Sequence, residues 1–262
     1  MTGGGGLAGR GAVVTGAGRG IGMAVARALV EAGAAVVVAA RTRKAIEAVA
    51  TKLNAAGGRA WAVSCDVTDP ANVAALALAA ESHLGHVDIL VNNAGVSHSA
   101  PLRKTTLEDW NRILAVNATG TFLCTQAFLP GMLERRWGRV VNIASVAGLE
   151  GGKYIAAYST SKHAVVGFTR SVGAEVAGTG VTVNAVCPGY VDTDMTQESV
   201  ARIAAKTKMS PEAALRAALE TTGQRRLISP EDVAQAVLKL CEDAGRETNG
   251  ETVVIAEGGA HR

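Results

Sequence analysis

A tyrosine and a lysine stand four residues apart in residues 158–162, which read YSTSK. On a helix, this spacing puts both side chains on one face, about one turn apart. A free tyrosine has a pKa near ~10, so Tyr158 needs nearby positive charge such as the Lys162 ammonium to carry protons at neutral pH. Ser145, at the end of a predicted strand, has a hydroxyl that can hold a substrate oxygen. This pattern predicts acid–base chemistry on an oxygen atom, although a solvated surface pair would show the same spacing.

A glycine-rich turn, residues 15–22 (TGAGRGIG), joins the first predicted strand to the first predicted helix. Glycines let the backbone turn tightly and approach a pyrophosphate, and the helix amino terminus adds unpaired N–H groups. Its position in a βαβ unit predicts a dinucleotide site. The expected contact residues are Gly16, Gly18, Arg19, Gly20, Ile21 and Gly22.

The end of the second strand predicts which dinucleotide binds. A site for NAD places a carboxylate there to bond the ribose hydroxyls, but residues 39–43 read AARTR. Arg41 can pair with a 2′-phosphate through its planar guanidinium, with Arg19 beside it. The pattern favours NADPH over NADH, and the alternative is that both arginines are solvated surface charges.

Asp66 and Val67 follow the third strand. The Asp66 carboxylate can accept a hydrogen bond from the adenine amino group while the Val67 backbone contacts the ring. A turn or helix-capping role for Asp66 is also open, because Asp69 and Pro70 come directly after.

Short apolar runs alternate with longer helical patterns from residue 11 onward. Strands are predicted at residues 12–15, 34–40, 60–65, 87–91, 138–144, 181–186 and 251–256, and helices at 21–32, 44–56, 70–83, 107–126 and 157–177. Hydrophobic residues make up 48% of the chain and aromatics only 3%, which suits a Val/Ala/Leu/Ile core of a parallel sheet. The pattern predicts an α/β protein: a single-domain Rossmann fold over residues 1–262, with a doubly wound, seven-stranded parallel sheet and helices on both faces.

Residues 192–228 interrupt this alternation with two short, Ala-rich helical patterns and no strand. Ligands of open α/β sheets bind beyond the carboxyl ends of the strands. Because this insertion follows the sixth strand, it is interpreted as a helical substrate lid.

The composition also argues against several classes of partner. The net charge is +3 without a Lys/Arg-rich tract, so no nucleic acid is expected. The four cysteines are far apart, which predicts neither a metal site nor a disulfide framework and fits a reducing compartment. Residues 1–10 are interpreted as a flexible lead-in without a signal peptide, and no apolar run approaches the ~18 residues of a membrane span. A cytoplasmic location is therefore expected.

Five motifs together resemble the short-chain dehydrogenase/reductase family, in its order and spacing and over nearly the whole chain. They are the glycine turn, the NNAG of residues 92–95, Asn117, Ser145 with the Tyr158–Lys162 pair, and Pro188 with Gly189. The resemblance implies an NAD(P)-dependent oxidoreductase that moves a hydride between a nicotinamide ring and a carbonyl or alcohol carbon.

The resemblance also implies roles for individual residues. Ser145 would polarise the carbonyl, Tyr158 would be the general acid, and Lys162 would bind the nicotinamide ribose and lower the tyrosine pKa. Asn117 would hold a water of a proton relay, or merely fill a helix kink. Asn93, which could instead be architectural, is expected near the adenosine ribose together with Ala94 and Gly95. Nicotinamide contacts are expected from Pro188, Gly189, Val191 and Thr193, and no metal is needed.

Within the family, residues 131–188 resemble 3-oxoacyl thioester reductases and aromatic polyketide ketoreductases. Those polyketide enzymes carry Pro-Gly-Gly after NNAG, where this chain has residues 96–99 (VSHS). The implied function is NADPH-dependent reduction of a 3-oxoacyl thioester or related ketone, held on an acyl carrier protein or coenzyme A. Cations available for the carrier's phosphates are Lys206, Lys208, Arg216, Arg225 and Arg226, and solvated helix faces explain these residues about as well.

Two other functions are kept open. One is a secondary-alcohol dehydrogenase for a small, alicyclic or steroid-like alcohol, and the other is a non-catalytic protein that senses nicotinamide. The resemblance further implies a homotetramer, in which the long helices at 107–126 and 157–177 pack against their symmetry mates.

Overall fold

The computed structural model describes residues 6–256 and 259–261. Most of the predicted lead-in, residues 1–5, lies outside this part of the chain. The strands form one sheet in the order β3-β2-β1-β4-β5-β6-β7-β8. Their bounds are β1 Gly11–Thr15, β2 Ala35–Ala40, β3 Arg59–Ser64, β4 Ile89–Asn92, β5 Gly138–Ile143, β6 Val181–Pro188, β7 Thr252–Ala256 and β8 Gly259–His261.

The seven-stranded parallel sheet is confirmed, and β8 adds a short antiparallel strand at the edge that the sequence pattern did not reveal. Every residue of β1, β4 and β5 is buried. Central strands of a parallel sheet are covered on both faces, which explains their continuous apolar runs. The strand order reverses between β1 and β4, and in such sheets ligands bind at the carboxyl ends beside this switch point.

Helices cover both faces of the sheet, as predicted. They are α1 Gly20–Glu31, α2 Arg43–Ala55, α3 Pro70–Leu84, α4 Leu107–Leu114, α5 Gly120–Glu134, α6 Ala156–Glu175, α7 Asp194–Thr207, α8 Pro211–Glu220 and α9 Pro230–Cys241. Successive β1 side chains enter opposite clusters. Val14 packs in the cluster that contains Leu29 of α1, whereas Val13 packs in the cluster that contains Leu76 of α3.

Two helix predictions need correction. The long helix expected at 107–126 is interrupted by a π-turn, Ala115–Thr119, between α4 and α5. Helix α9 was not predicted, although its first residues form a capping box. The Ser229 side chain accepts a hydrogen bond from the Asp232 backbone N–H, and the Asp232 carboxylate accepts one from the Ser229 backbone N–H. This capping box with a proline at the first turn is a readable start signal.

The helical run Leu107–Glu134 is long and apolar enough to cross a membrane by length and composition alone. The expectation that no stretch comes near such a span was therefore wrong. Part of the run is nevertheless core: Cys124, Phe128 and Met132 are buried in the cluster that covers one face of the sheet. Packing against the sheet therefore explains the apolar character of this part of the run.

The expected helical insertion is present as α7 and α8, and residues 192–228 are called the α7–α8 segment below. Thr193 and Ser210 cap the two helices through their side chains. The segment leaves and rejoins the fold at one place, since Val191 and Ile228 form an isolated parallel bridge. Asp192 N–H also donates to the Ile228 carbonyl, at 2.9 Å.

Candidate active site

Helix α6 and the end of β5 bring the predicted acid–base residues together. Tyr158 and Lys162 lie one turn apart on α6, and the Lys162 ammonium is 5.9 Å from the centre of the Tyr158 ring. Ser145, two residues past β5, lies close enough to the Tyr158 side chain to influence its pKa. Its Oγ also accepts from the Ala147 backbone N–H at 3.1 Å, which holds the hydroxyl in place. A solvated surface pair is excluded, because only 5% of Lys162 is exposed.

Burial governs the protonation of this cluster. It raises the pKa of Tyr158 above its ordinary value, against a smaller lowering effect from the Ser145 side chain. The opposite direction was expected from the positive charges of Lys162 and the nicotinamide, an expectation that left out the loss of solvation. Burial also lowers the pKa of Lys162 to about 8.

The Lys162 ammonium donates a 2.7 Å hydrogen bond to the Ile143 carbonyl, at the last residue of β5. This bond fixes the buried side chain along the cleft between α6 and the strand end. The space at Gly95 is close by: a Cβ built there would lie 3.7 Å from Lys162 Nζ and 3.4 Å from Asn117 Oδ1. Lys162, Asn117 and the NNAG segment thus meet at one point.

Asn117 lies in the π-turn and clamps the chain after NNAG. Its Oδ1 accepts from Val96 N–H at 2.8 Å, while Nδ2 donates to the Val96 carbonyl and to Ser161 Oγ, both at 2.9 Å. Single π-turns within α-helices often mark functional sites. Asn117 therefore does more than fill a helix kink. Its side chain links the π-turn to the loop after NNAG and to helix α6.

The glycine turn forms a tight cradle between β1 and α1. Gly16 has φ +64°, and a Cβ there would lie 2.8 Å from Ala94 Cα, so a side chain is excluded. At Gly22, a Cβ would come within 2.5 Å of the Gly16 carbonyl oxygen. Helix α1 starts without a side-chain cap, which leaves its first N–H groups for an anion.

Asn93 holds this cradle from the β4 side. Its Nδ2 donates to the carbonyls of Thr15, at 2.9 Å, and Gly16, at 3.1 Å. The Thr15 hydroxyl in turn accepts from the backbone N–H groups of Asn93 and Ala94. The architectural role that the sequence left open for Asn93 is therefore present.

Arg41 and Asp66 follow neighbouring strands and interact electrostatically, with Arg41 exposed to solvent. Asp66 Oδ1 accepts from the backbone N–H and the hydroxyl of Thr68, and the backbone bond is the main cause that lowers the pKa of Asp66. Its alternative turn role is thus confirmed, whereas the cap of α3 is Asp69. Val67 is buried against Gly120, where a Cβ would lie 2.6 Å from Val67 Cγ2.

Arg19 makes a contact that the sequence did not predict. Its guanidinium pairs with Asp194 at 2.9 Å and approaches Glu198 at 3.8 Å, and all three side chains are more than half exposed. The glycine turn is thereby tied to the first turns of α7. Next to this pair, a Cβ at Gly20 would lie 3.1 Å from Thr193 Cγ2.

The far end of α7 touches the opposite side of the cleft. Lys206 Nζ donates to the Ser99 carbonyl at 3.3 Å, and Ala100 N–H donates to the Tyr154 carbonyl at 2.8 Å. Helix α7 therefore extends from the glycine turn to the loop after NNAG. Lys208, Arg216 and Arg226 of the same segment have exposed or half-exposed side chains.

The segment after β6 completes the cleft. Tyr190 is near enough to Tyr158 to raise its pKa electrostatically. Pro188 ends β6 at a buried position, and burial raises the pKa of the neighbouring Cys187 thiol to about 11. Among the described residues, no group of three or more His, Cys, Asp or Glu side chains could hold a metal ion.

The sequence profile of the family described as short chain dehydrogenase matches residues 10–204. The chain belongs to this family. It is accordingly an NAD(P)-dependent oxidoreductase that acts on CH–OH or C=O groups.

Its similarity to known members extends along most of the chain. A 3-oxoacyl-[acyl-carrier-protein] reductase of Synechocystis is 46% identical over 71% of this chain and 76% of its own length. An inactive 2-(S)-hydroxypropyl-CoM dehydrogenase of Xanthobacter autotrophicus is 44% identical over 90% of this chain and 98% of its own length. The structure of an actinorhodin polyketide ketoreductase variant with NADPH superposes with a TM-score of 0.90, at 38% identity, covering 95% of this chain and 96% of that one.

Proposed function

We propose that the protein is an NADPH-dependent ketoreductase for a 3-oxoacyl thioester or a related polyketide-like ketone. The observation that carries the proposal is the cluster of Ser145, Tyr158 and Lys162 at the carboxyl end of β5, in which Ser145 and Lys162 are buried and Tyr158 is half-buried. It is supported by the similarity to a 3-oxoacyl-[acyl-carrier-protein] reductase and to a polyketide ketoreductase solved with NADPH.

The residues present fit a dinucleotide. The cradle at Gly16 and Gly22, which a Cβ would fill, leaves room for a pyrophosphate next to the uncapped start of α1. We place the remaining contacts on Gly18, Gly20, Ile21, Asp66, Val67, Asn93, Ala94, Gly95, Pro188, Gly189, Val191 and Thr193. The preference for NADPH rests on Arg41, which follows β2 where the chain has no carboxylate.

The reduced nicotinamide supplies the hydride, and the protein supplies the proton. The Ser145 hydroxyl holds the carbonyl oxygen beside Tyr158, whose hydroxyl proton passes to that oxygen as the alcohol forms. The Lys162 ammonium stabilises the phenolate that is left. Asn117 keeps the NNAG segment and Ser161 in place around this lysine. A ketone and NADPH thus give an alcohol and NADP⁺, with the phenolate reprotonated from solvent.

The α7–α8 segment is proposed as the substrate lid of a single domain. Its support is the contact of α7 with the glycine turn at Arg19 and with the Ser99 carbonyl at Lys206. Its cations would meet the phosphates of an acyl carrier or coenzyme A arm. Because the chain departs from the polyketide pattern at residues 96–99, the test of activity uses both a 3-oxoacyl thioester and a bicyclic ketone.

A second candidate is a secondary-alcohol dehydrogenase working in the oxidative direction. The similarity to a 2-(S)-hydroxypropyl-CoM dehydrogenase, itself named inactive, favours this class of substrate. The same Ser145, Tyr158 and Lys162 would serve both directions. The present chain retains all three side chains, which argues against a purely nicotinamide-sensing role.

We also propose a cytoplasmic homotetramer that buries the exposed faces of α5 and α6. A depression of about 300 Å³ lies between these helices. Phe122, which is 43% exposed, meets Phe168 there edge to face, with 6.4 Å between ring centres. Light scattering of the protein should show a tetramer, and Phe122→Glu should reduce it to smaller species. An unaltered protein that is monomeric would overturn this part.

The proposed activity is tested by following the absorbance of the reduced nicotinamide with NADPH and with NADH. The panel contains a 3-oxoacyl thioester, a bicyclic ketone and simple secondary alcohols. We expect rapid loss of NADPH with the thioester. Turnover of the alcohols with NAD⁺ would instead establish the second candidate, and no turnover with tight NADPH binding would favour a sensor.

A further inference from the structure

Gln224 is a buried polar residue in the return stem of the α7–α8 segment, between α8 and α9. Only 6% of it is exposed. None of the sequence motifs includes it, and it lies outside the acid–base cluster. A buried amide is costly unless its donors and acceptors are all matched.

The side-chain amide of Gln224 makes four hydrogen bonds, and two of them go to the backbone of Tyr190. Its Oε1 accepts from Tyr190 N–H and from the Thr222 hydroxyl, both at 2.7 Å. Its Nε2 donates to the carbonyls of Tyr190 and Arg226, both at 3.2 Å. Four hydrogen bonds use the whole capacity of an amide. Gln224 therefore holds both backbone polar groups of Tyr190.

Gln224 also packs directly on Gly189. A Cβ built at Gly189 would lie 2.2 Å from Gln224 Oε1 and 2.8 Å from its Cδ. Position 189 therefore needs a glycine because the Gln224 amide occupies the space of a Cβ. Its backbone is not left-handed, since its φ is not positive. The amide fixes two consecutive residues, one by contact and the other by hydrogen bonds.

Residues 188–193, which include the two residues that Gln224 holds, lie between the glycine turn and the acid–base cluster. At one end, Thr193 packs beside Gly20 of the turn. In the middle, Tyr190 is close enough to Tyr158 to affect its pKa. A dinucleotide with its pyrophosphate at the turn and its reactive ring at Tyr158 must pass along this segment. The adenosine end, near Arg41 and Asp66, lies on the other side of the turn.

We propose that Gln224 is a positioning residue for the nicotinamide half of the cofactor. It holds the backbone at Gly189 and Tyr190 in the shape that presents the ring to Tyr158. This inference rests on the proposed function, because it assumes that NADPH is the bound dinucleotide.

The test compares two ligands by calorimetry. NADP⁺ contains the nicotinamide, whereas adenosine 2′,5′-bisphosphate carries only the adenosine end and its phosphates. Gln224→Leu keeps the approximate volume but leaves the Tyr190 N–H without an acceptor. It also removes one of the two donors to the Tyr190 carbonyl, which keeps the 2.9 Å bond from the Ile228 N–H. We expect it to weaken NADP⁺ binding about tenfold while changing the affinity for the bisphosphate less than about twofold. The rate of hydride transfer in a single turnover should fall by at least as much.

Asn54→Leu is the matched control. The Asn54 amide likewise bonds both backbone groups of one residue, Ala60, at 2.8 and 2.9 Å, but at the amino end of β3. It should change neither affinity nor rate. If Gln224→Leu does not fold, Gln224→Met serves instead, because its unbranched, uncharged side chain occupies a similar space and likewise lacks the amide's donors and acceptor. We expect an effect of similar size in the same direction.

The outcomes separate the two proposals. If the unaltered protein binds neither ligand, the proposed function fails and this inference fails with it. If the unaltered protein binds and turns over NADPH but Gln224 variants keep the affinity ratio and the single-turnover rate, only the inference is overturned. An equal loss of both affinities would assign Gln224 a general structural role and would also overturn it.

Discussion

The acid–base corner and helix α7 are held by different kinds of contact. Around Tyr158, the side chains of Ser161 and Asn117 are 0% and 1% exposed, and the Lys162 bond to the Ile143 carbonyl is buried. Within α7, Thr196 is the one residue that is buried in the part of the chain described. The ties of α7 to the cleft are an exposed ion pair at Arg19 and an exposed hydrogen bond from Lys206.

The difference indicates what each region can tolerate. A buried hydrogen-bonding group left without its partner costs about 1–3 kcal/mol, whereas exposed ion pairs contribute about 0–1 kcal/mol. The acid–base corner is therefore held by strong local constraints, whereas helix α7 is attached weakly. A weakly attached helix can change shape or sequence without disturbing the acid–base corner, which fits the proposed role of α7 in a substrate lid and a fold that serves many substrates.

The largest expected effect is at the acid–base corner. Tyr158→Phe removes one hydroxyl and should lower kcat by about 10²–10⁴-fold while leaving NADPH affinity within about twofold. Steady-state turnover and NADPH titration measure the two quantities separately. Tyr154→Phe, a tyrosine four residues earlier that is 62% exposed, is the control and should keep its activity. Retained turnover in Tyr158→Phe would remove this residue as the acid.

The buried Lys162 should also make the free energy of unfolding depend on pH. Burial lowers the pKa of Lys162 from 10.5 to about 8, so between these values the unfolded chain binds more protons than the folded one. The free energy of unfolding should therefore rise with pH across this window, by up to about 3 kcal/mol. Urea unfolding of the protein and of Lys162→Met, compared over this range, isolates the contribution.

In that comparison, the extra slope should be present in the unaltered protein and absent in Lys162→Met. Lys206→Met, which removes a surface lysine of α7, is the control and should keep the slope. Parallel curves for the unaltered protein and Lys162→Met would contradict burial of the ammonium.

A mid-sized effect is expected at the cofactor's phosphate. Arg41→Asp should weaken NADPH about 10–100-fold more than NADH, because it replaces a charge-assisted contact with repulsion. Arg43→Asp is the matched control, since the Arg43 guanidinium is engaged by Glu47 at 2.7 Å on α2. Equal loss of both nucleotides in Arg41→Asp would place the 2′-phosphate elsewhere.

The smallest effect is expected at the tie between α7 and the glycine turn. Asp194→Ala breaks the ion pair with Arg19 and should raise KM for the ketone by less than about fivefold, with kcat nearly unchanged. Glu231→Ala, which breaks the exposed 3.0 Å pair between Arg27 and Glu231, is the control. A large fall in kcat in Asp194→Ala would show that α7 belongs to the chemical machinery and would remove the contrast between the two regions.

Much of the fold could be predicted because the sequence patterns that indicate its strands lie within short stretches of the chain. Buried parallel strands require apolar runs, so the seven parallel strands were predicted within a few residues of their bounds. The π-turn at Ala115–Thr119 could not be predicted, because the same residues are compatible with a regular α-helix and with a helix that contains a single π-turn. The start of helix α9 does have a local signal, the capping box of Ser229 and Asp232 with Pro230 in the first turn.

The sequence by itself determined the order of the motifs, the parallel sheet and the helical spacing of Tyr158 and Lys162, because these follow from residue type and short-range geometry. Only the tertiary structure decided the direction of the Tyr158 pKa, the ion pair of Arg19 with Asp194 and the hold of Gln224 on Tyr190. These depend on solvent exclusion and on contacts between residues 34 to 175 positions apart in the chain. No local pattern encodes which distant groups a fold brings within hydrogen-bonding distance.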